Sequence, residues 1–381
     1  MSAVDGSSAR ALVRVPFLDL RPVHEPLKAQ ILLETADLID DGSFINGADV
    51  GRFERSFADF CGVRHCVGTA SGLDALRIAL LAAGLEPGEE VLVPAQTFVA
   101  TFEAVTQACG TPVPVEISEI DYCIDPAAAE AAVTERTHAV MPVHLFGQLA
   151  DMRALGRLAA GRDLDVIEDA CQAHGATRDG VRAGAGGRAA AFSFYPGKNL
   201  GAMGDAGALV TNDDELASSS RALREHGQRA KYQHDMEGYT ARLDTFQALV
   251  LRHKLSLLDE WNGERRRAAA IYGEALEGVG DLRLPPVAPE SEPVWHLYVV
   301  RTAEPEALAA FLAERGISTA RHYPEPPHLT RAYARLGYGP GAFPLAEALA
   351  REALSLPIYP GITDEQLEAV VAAVTSYFNH G

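Results

Sequence analysis

The stretch AAAFSFYPGKNLGAMGDAGA, residues 189–208, decides how this chain is read. An apolar run from Ala189 to Phe194 ends in Tyr195-Pro196-Gly197, where strand pairing stops because proline has no N–H to donate. A second apolar run, GALVTN, starts at Gly207, and the turn at GDAGA predicts a hairpin. Between the runs lies Lys198, flanked by Gly197 and Gly201. The chain has four lysines, and Lys28, Lys231 and Lys254 have charged or polar neighbours, as solvated surface lysines do. Lys198 sits instead among glycines, aromatics and small residues. An amine desolvated there becomes less basic and can act as a nucleophile. The plainer reading is a surface lysine on a turn. The segment by itself does not separate the two.

Outward from this stretch the chain alternates short apolar runs with amphipathic ones. VRHCVGTA, EEVLVPA, TPVPVEIS, HAVMPVHLFG and LDVIEDA read as strands. SGLDALRIALLAAGL, TFVATFEAVTQACG, DPAAAEAAVTE and DMRALGRLAAGRD read as helices, the first with Ser71 as its cap. Such alternation predicts an α/β fold with a mostly parallel central sheet covered by helices. In these sheets ligands bind beyond the carboxyl ends of the strands. Ser71, Phe98, Asp169 and Lys198 all fall just after predicted strands.

Upstream, residues 1–15 read as a loose arm. A helix follows with Leu27, Ile31, Leu32, Ala36 and Ile39 on its apolar face, then one carrying Phe53, Phe57 and Phe60 and stopped by Gly62. Downstream, QRAKYQHDMEGYTARLD reads as a polar loop over a site or a subunit boundary. A long amphipathic stretch from Thr245 bridges to a smaller α/β unit, legible from about residue 262. The expected division is an arm over 1–15, a large domain over 16–250 and a small C-terminal α/β domain over 251–381.

The 381 residues are 48% hydrophobic and 22% charged, as in a globular protein, with a formal net charge of −19. That charge argues against nucleic-acid binding, which needs a basic face, but not against a phosphorylated ligand held by local donors. The five cysteines contain no CxxC pair, so neither a disulfide framework nor a metal site is expected. The N-terminus lacks the apolar core of a signal peptide, and no apolar run approaches a membrane span. The expectation is a cytoplasmic protein with no membrane partner.

An amine, a carboxylate at a strand end, a phosphate cradle and an aromatic plate are the parts that hold pyridoxal 5′-phosphate (PLP). On EDACQ (168–172), FSFYPGK (192–198) and GYTARLD (238–244), the chain resembles the DegT/DnrJ/EryC/StrS-type sugar aminotransferases, which have the type I PLP-enzyme fold. The resemblance runs from FLDLRP near residue 17 to LSLPIYP near 360. It implies Lys198 as the amine that carries PLP and moves the proton, and Asp169 as the partner of the pyridine nitrogen. Gln172 would meet the ring's 3-oxygen and Phe98 would stack on it. Ser71, Gly72 and Ser193 would hold the phosphate. The family's Gly-x-Asn-x-Arg-x-Asp run has Thr240 in place of its asparagine here, a shorter donor for the phosphate of a second subunit. Arg242 matches the arginine assigned to the amino donor's carboxylate. Asn199, His322, Tyr323 and His328 fall on the substrate side, the last three in HYPEPPHL.

Taken residue by residue, plainer readings stand beside these. Asp169 is a helix cap, Phe98 a core aromatic, Ser193 a strand hydroxyl and Arg242 a surface ion pair. The resemblance implies a homodimer, with the site at the subunit interface, that moves the amino group of L-glutamate to a nucleotide-linked keto-6-deoxyhexose, dTDP-linked, at C3 ahead of C4. Related dehydratases carry histidine at the lysine position. A cyclitol aminotransferase or a PLP lyase or dehydratase is the alternative within the family. A non-catalytic nucleotide-binding α/β protein is the alternative outside it, resting on the glycine-rich GAMGDAGA.

Overall fold

The computed structural model describes residues 13–379. Seven strands form its main sheet: β1 (His65–Thr69), β2 (Glu90–Pro94), β3 (Thr111–Val115), β4 (Thr137–Val140), β5 (Asp165–Asp169), β6 (Ala189–Ser193) and β7 (Gly207–Thr211). Their order is β1-β7-β6-β5-β4-β2-β3. Only β7 runs antiparallel to its neighbours, pairing Ala189 with Thr211 and Ser193 with Gly207 on one side and His65 with Thr211 on the other. The expected hairpin is therefore present, and the loop that joins its strands carries Lys198.

Successive residues of the buried strands enter different cores. Leu92, Val166, Ala190 and Phe192 pack on one face, with Phe53 and Phe57. Val91, Val93, Ile167, Ala189 and Ala191 pack on the other, with Leu76, Leu80, Phe102 and Val105. A sheet apolar on both faces needs helices on both. Those supplying the cover include α1 (Lys28–Asp41), α2 (Ala48–Cys61), α3 (Gly72–Ala82), α4 (Ala100–Gln107), α5 (Pro126–Ala132), α6 (Met152–Arg162), α7 (Asp214–Arg224) and α8 (Thr245–Leu255). Gly62 ends α2 at φ 73°, as expected of a left-handed cap.

Several boundaries differ from expectation. HAVMPVHLFG forms a ladder only over Thr137–Val140, because Pro142 has no N–H and its carbonyl is taken by the Asp169 N–H at 2.8 Å. The helix after β2 starts at Ala100, which leaves Thr97 and Phe98 in the turn beyond the strand. The expected apolar face of α1 is rotated: Ile31 is buried against α8 and Leu38 is buried too, while Leu32 and Leu33 are each 61% exposed and Ile39 55%. The long stretch from Thr245 breaks at Ser256–Leu257 into α8 and α9 (Leu258–Leu276).

A smaller unit follows, with β8 (Tyr298–Arg301) antiparallel to β9 (Ala353–Leu356) and covered by α10 (Pro305–Glu314), α11 (Pro344–Glu352) and α12 (Asp364–Asn379). Its core contains Tyr272, Leu276, Tyr298, Leu308, Leu354 and Val370. Residue 250 lies inside α8, whose Ala248 and Leu251 belong to the large core. The passage to the smaller core falls along α9, at Ala268. Residues 1–12 of the expected arm lie outside the described residues. Val15 is not loose: it is 1% exposed, and its N–H donates to the Gly316 carbonyl at 2.9 Å.

Candidate active site

A cavity of about 540 Å³ opens at the carboxyl ends of β1, β2, β5 and β6. Ser71, Gly72, Phe98, Asp169, Gln172, Ser193, Lys198, His322 and Tyr323 line it. The size suits a coenzyme with part of its substrate. Nine of the thirteen residues singled out from the sequence are thus brought together by strand ends far apart in the chain.

Lys198 follows β6, its N–H donating to the Tyr195 carbonyl at 2.8 Å. The residue is half-buried and faces the cavity. Desolvation lowers its amine's affinity for a proton, and the negative charge of Asp169 opposes that effect. The carboxylate of Asp169 ends β5 and is 5% exposed. It accepts from the Thr101 hydroxyl at 2.8 Å and the Cys171 N–H at 3.2 Å. Thr101 is paired in turn with Thr97 at 2.8 Å. The neighbouring Glu168, fully buried, takes the N–H groups of Gly184, Gly186 and Gly187 and lies 2.8 Å from His144. That knot fixes the end of β5 from behind.

Ser71 caps α3, accepting from the Asp74 N–H at 3.0 Å. The first N–H groups of α3 beyond it lack helical partners, and Gly72 and Leu73, which carry them, line the cavity. Two glycines make this approach possible. A Cβ on Gly72 would stand 2.6 Å from the Cβ of Ser193 and 2.8 Å from the sulfur of Cys171. A Cβ on Gly207 would stand 2.3 Å from the carbonyl of Ser71. Phe98 is 50% exposed, and its ring lies 5.4 Å from that of Tyr323. Gln172 accepts from the Phe146 N–H at 2.7 Å and donates to the Tyr323 hydroxyl at 3.0 Å. His322 is bound to the Ser355 hydroxyl at 2.8 Å, and burial holds its imidazole down at about 4.

Four expected residues do not reach this cavity. Asn199 points away from it, its amide donating to Asn262 at 2.9 Å and to the Val294 carbonyl at 2.8 Å. His328 is 1% exposed, turned inward by the short helical turn Pro327–Leu329 to lie 3.4 Å from Glu347 and edge-on to Phe343. Thr240 pairs with Glu225 across a backbone bridge, and its hydroxyl is 3.1 Å from His226. Arg242 forms an ion pair with Glu225 at 2.8 Å.

Lys254 also departs from expectation. It is 1% exposed, donates to the Gly201 carbonyl within the Lys198 loop and lies 3.1 Å from His24. Burial lowers its amine to about 8. Arg265 and His296, also missed, line the cavity from the smaller unit's side. GAMGDAGA leads into β7 rather than a helix, which removes the feature behind the nucleotide-binding alternative.

A model of the DegT/DnrJ/EryC1/StrS aminotransferase family matches residues 26–375. A Streptomyces venezuelae protein described as dTDP-3-amino-3,4,6-trideoxy-alpha-D-glucose transaminase is 48% identical over 97% of this chain and 98% of its own length. The S. venezuelae DesV crystal structure, in complex with ketimine intermediate, superposes with a TM-score of 0.95 at 48% identity, covering 97% of this chain and 99% of that one. A Bacillus subtilis protein, ntda, with bound cofactor pmp, superposes at 0.91 with 31% identity, covering 98% of this chain and 87% of that one. The residues here fit the coenzyme that this likeness implies. A close-packed glycine cradle at a helix start, a desolvated amine and a buried carboxylate share one cavity.

Proposed function

The chain belongs to the DegT/DnrJ/EryC1/StrS aminotransferase family, and from that premise we propose that it transfers the amino group of L-glutamate to C3 of a dTDP-linked 3-keto-6-deoxyhexose. It is a PLP-dependent transaminase. The observation that carries the reading is the single cavity in which Lys198, Asp169, Ser71, Gly72, Phe98 and Ser193 meet. The position of amination rests on the 48% identical relative described as a 3-amino-sugar transaminase.

When bound, PLP supplies an electron sink that allows an amino group to pass between a donor and a ketone. Lys198 would hold it through Nζ, and the same Nζ, its proton affinity lowered by burial, would take and return the proton at the reacting carbon. Asp169, held in place by Thr101 and the Cys171 N–H, keeps a positive charge on the ring nitrogen. Ser71, Ser193 and the first N–H groups of α3 hold the phosphate. Phe98 covers one face of the ring. Gln172, whose amide N–H donates to the Tyr323 hydroxyl, would meet the ring's 3-oxygen with its second N–H. His322 and Tyr323 close the site over the sugar.

Thr240 and Arg242 serve the cavity of a second copy, so the working unit is a homodimer. Exposed Leu32, Leu33 and Ile39 on α1, with Phe44 and Ile45, supply an apolar face for that contact. We place the large and small domains on either side of α9 and the protein in the cytoplasm. Among the described residues no helix is long and apolar enough to cross a membrane. Incubation with L-glutamate and a panel of 3-keto and 4-keto dTDP-sugars tests the reading. Release of 2-oxoglutarate with the 3-keto sugars is expected. Turnover of 4-keto sugars alone would move the amination to C4, and turnover of none would end the proposal.

A further inference from the structure

Two arginines are buried among the described residues, and they are treated differently. Arg301, 6% exposed, is matched by Glu352, whose carboxylate takes both Nε at 3.0 Å and Nη2 at 2.8 Å. Arg265 is 3% exposed, and no carboxylate among the described residues lies within ion-pair distance of it. Its Nη1 donates to three carbonyls, those of Trp295 at 3.2 Å, His296 at 3.3 Å and Ile358 at 2.9 Å. Its Nε is buried without a partner. One end of the guanidinium is therefore anchored, while the Nε–Nη2 edge, the edge that grips a carboxylate with two parallel hydrogen bonds, is not used.

An unmatched cation in so dry a place is costly. Desolvation already depresses Arg265 to about 10, and only Glu264, next along the helix, opposes that. Arg265 lines the same cavity as Lys198. Beside it are His296, whose Nδ1 lies 3.2 Å from the Asn199 amide oxygen, and His322, bound to Ser355. The acidic residues lining the cavity are Glu103, Asp169 and Asp205, from elements of the large sheet and its loops. Asp169 is engaged with Thr101. The wall of Arg265, His296 and His322 is thus short of one negative charge. Arg242, the arginine expected to supply that contact, is spent on Glu225 and lies outside this cavity.

The geometry points to Arg265 as the residue that receives a carboxylate of the amino donor, bidentate through Nε and Nη2, in the cavity of its own chain. This rests on the aminotransferase reading and names the residue that recognises its donor. Nη1 holds the guanidinium by carbonyls of the smaller unit, so the carboxylate meets a fork fixed in advance. The keto-sugar carries no carboxylate, so loss of Arg265 acts on one substrate and spares the other.

The test uses cofactor-loaded protein and glutarate, a dicarboxylate without an amine, titrated calorimetrically. Arg265→Gln should weaken glutarate by roughly ten- to a hundredfold, the weight of a charge-assisted bidentate pair. It should raise KM for L-glutamate by a similar factor and leave KM for the keto-sugar unchanged. Wild-type glutarate affinity in Arg265→Gln would overturn the inference, as would equal losses for both substrates. Should Arg265→Gln fail to fold, Arg265→Lys keeps the charge without the fork, and unchanged glutarate binding there would overturn it equally. If L-glutamate leaves the absorbance of the loaded wild-type protein unaltered, the proposed function fails with it. A wild-type response with an indifferent Arg265→Gln sinks this inference alone.

Discussion

The cavity wall made by the strand ends and the rim segment at 225–242 contain residues of the same chemical kinds, yet they behave oppositely. On the wall, side chains from strand ends well apart in the chain converge: Ser71 after β1, Asp169 at the end of β5, Lys198 after β6. Each is fixed by its own chain, through Asp74, Thr101 and the Tyr195 carbonyl respectively. On the rim, Thr240 and Arg242 turn to Glu225 and His226 and reach no part of that cavity. A wall built from one chain needs only the fold. A rim whose Thr240 and Arg242 reach no part of its own cavity makes sense when a second copy is placed against it.

The largest effect belongs to the wall. Lys198→Ala removes the only amine lining the cavity among the described residues, so amine transfer is abolished while some PLP is retained without a covalent link. Unchanged turnover would mean that the cavity is not the site. Asp169→Asn keeps the shape and removes the charge. Turnover should fall by roughly 10²–10³-fold, the scale on which losing one preorganised electrostatic partner acts. A near-normal rate would leave Asp169 as a carboxylate that caps the turn after β5 and no more.

The same contrast explains what could be read before any coordinates. The wall was legible because strand ends are set by local pattern: an apolar run, a glycine or proline, then a polar residue. The sheet's parallel character and the β6–β7 hairpin followed from the same alternation. Lys254 and Arg265 were illegible. In HKLSL and ERRRAAA they look like ordinary helix-surface charge. What buries them lies far away in the chain, Gly201 and His24 for the lysine, Trp295 and Ile358 for the arginine. Asn199 and His328 show the converse. Each sits beside a motif, but packing with Asn262 in one case and Phe343 in the other turns it away from the cavity. Likewise the pattern of α1 gave a helix but not which stripe faces inward, because α8 takes Ile31 and leaves Leu33 outside.

The exposed stripe yields the third prediction. Leu33 is 61% exposed in one chain, so Leu33→Asp should cost that chain little stability. Against a second copy the same change buries a charge without a partner, which apolar contacts do not tolerate. Sedimentation should show the variant as a folded monomer with its turnover at least tenfold lower, a loss carried by the missing rim, and its thermal midpoint should fall only by what association contributed. A dimer of normal activity would place the contact elsewhere.

Thr240→Ala should have the smallest effect and is the most discriminating. The hydroxyl lies 3.1 Å from His226 within its own chain, a contact whose loss at an exposed site changes little. If it donates instead to the phosphate in a second copy's cavity, the bond is charge-assisted, and its removal should loosen PLP on the order of tenfold, read as the rate of cofactor loss on dialysis. Thr240→Asn, with the longer amide, should hold PLP at least as well as wild type. The decisive comparison is the pair of changes together. In a Leu33→Asp monomer no second cavity is within reach, so adding Thr240→Ala should loosen PLP no further, an interaction between two positions without contact in one chain. Additive losses would mean that Thr240 acts from its own chain, and the division between a self-built wall and a borrowed rim would fall.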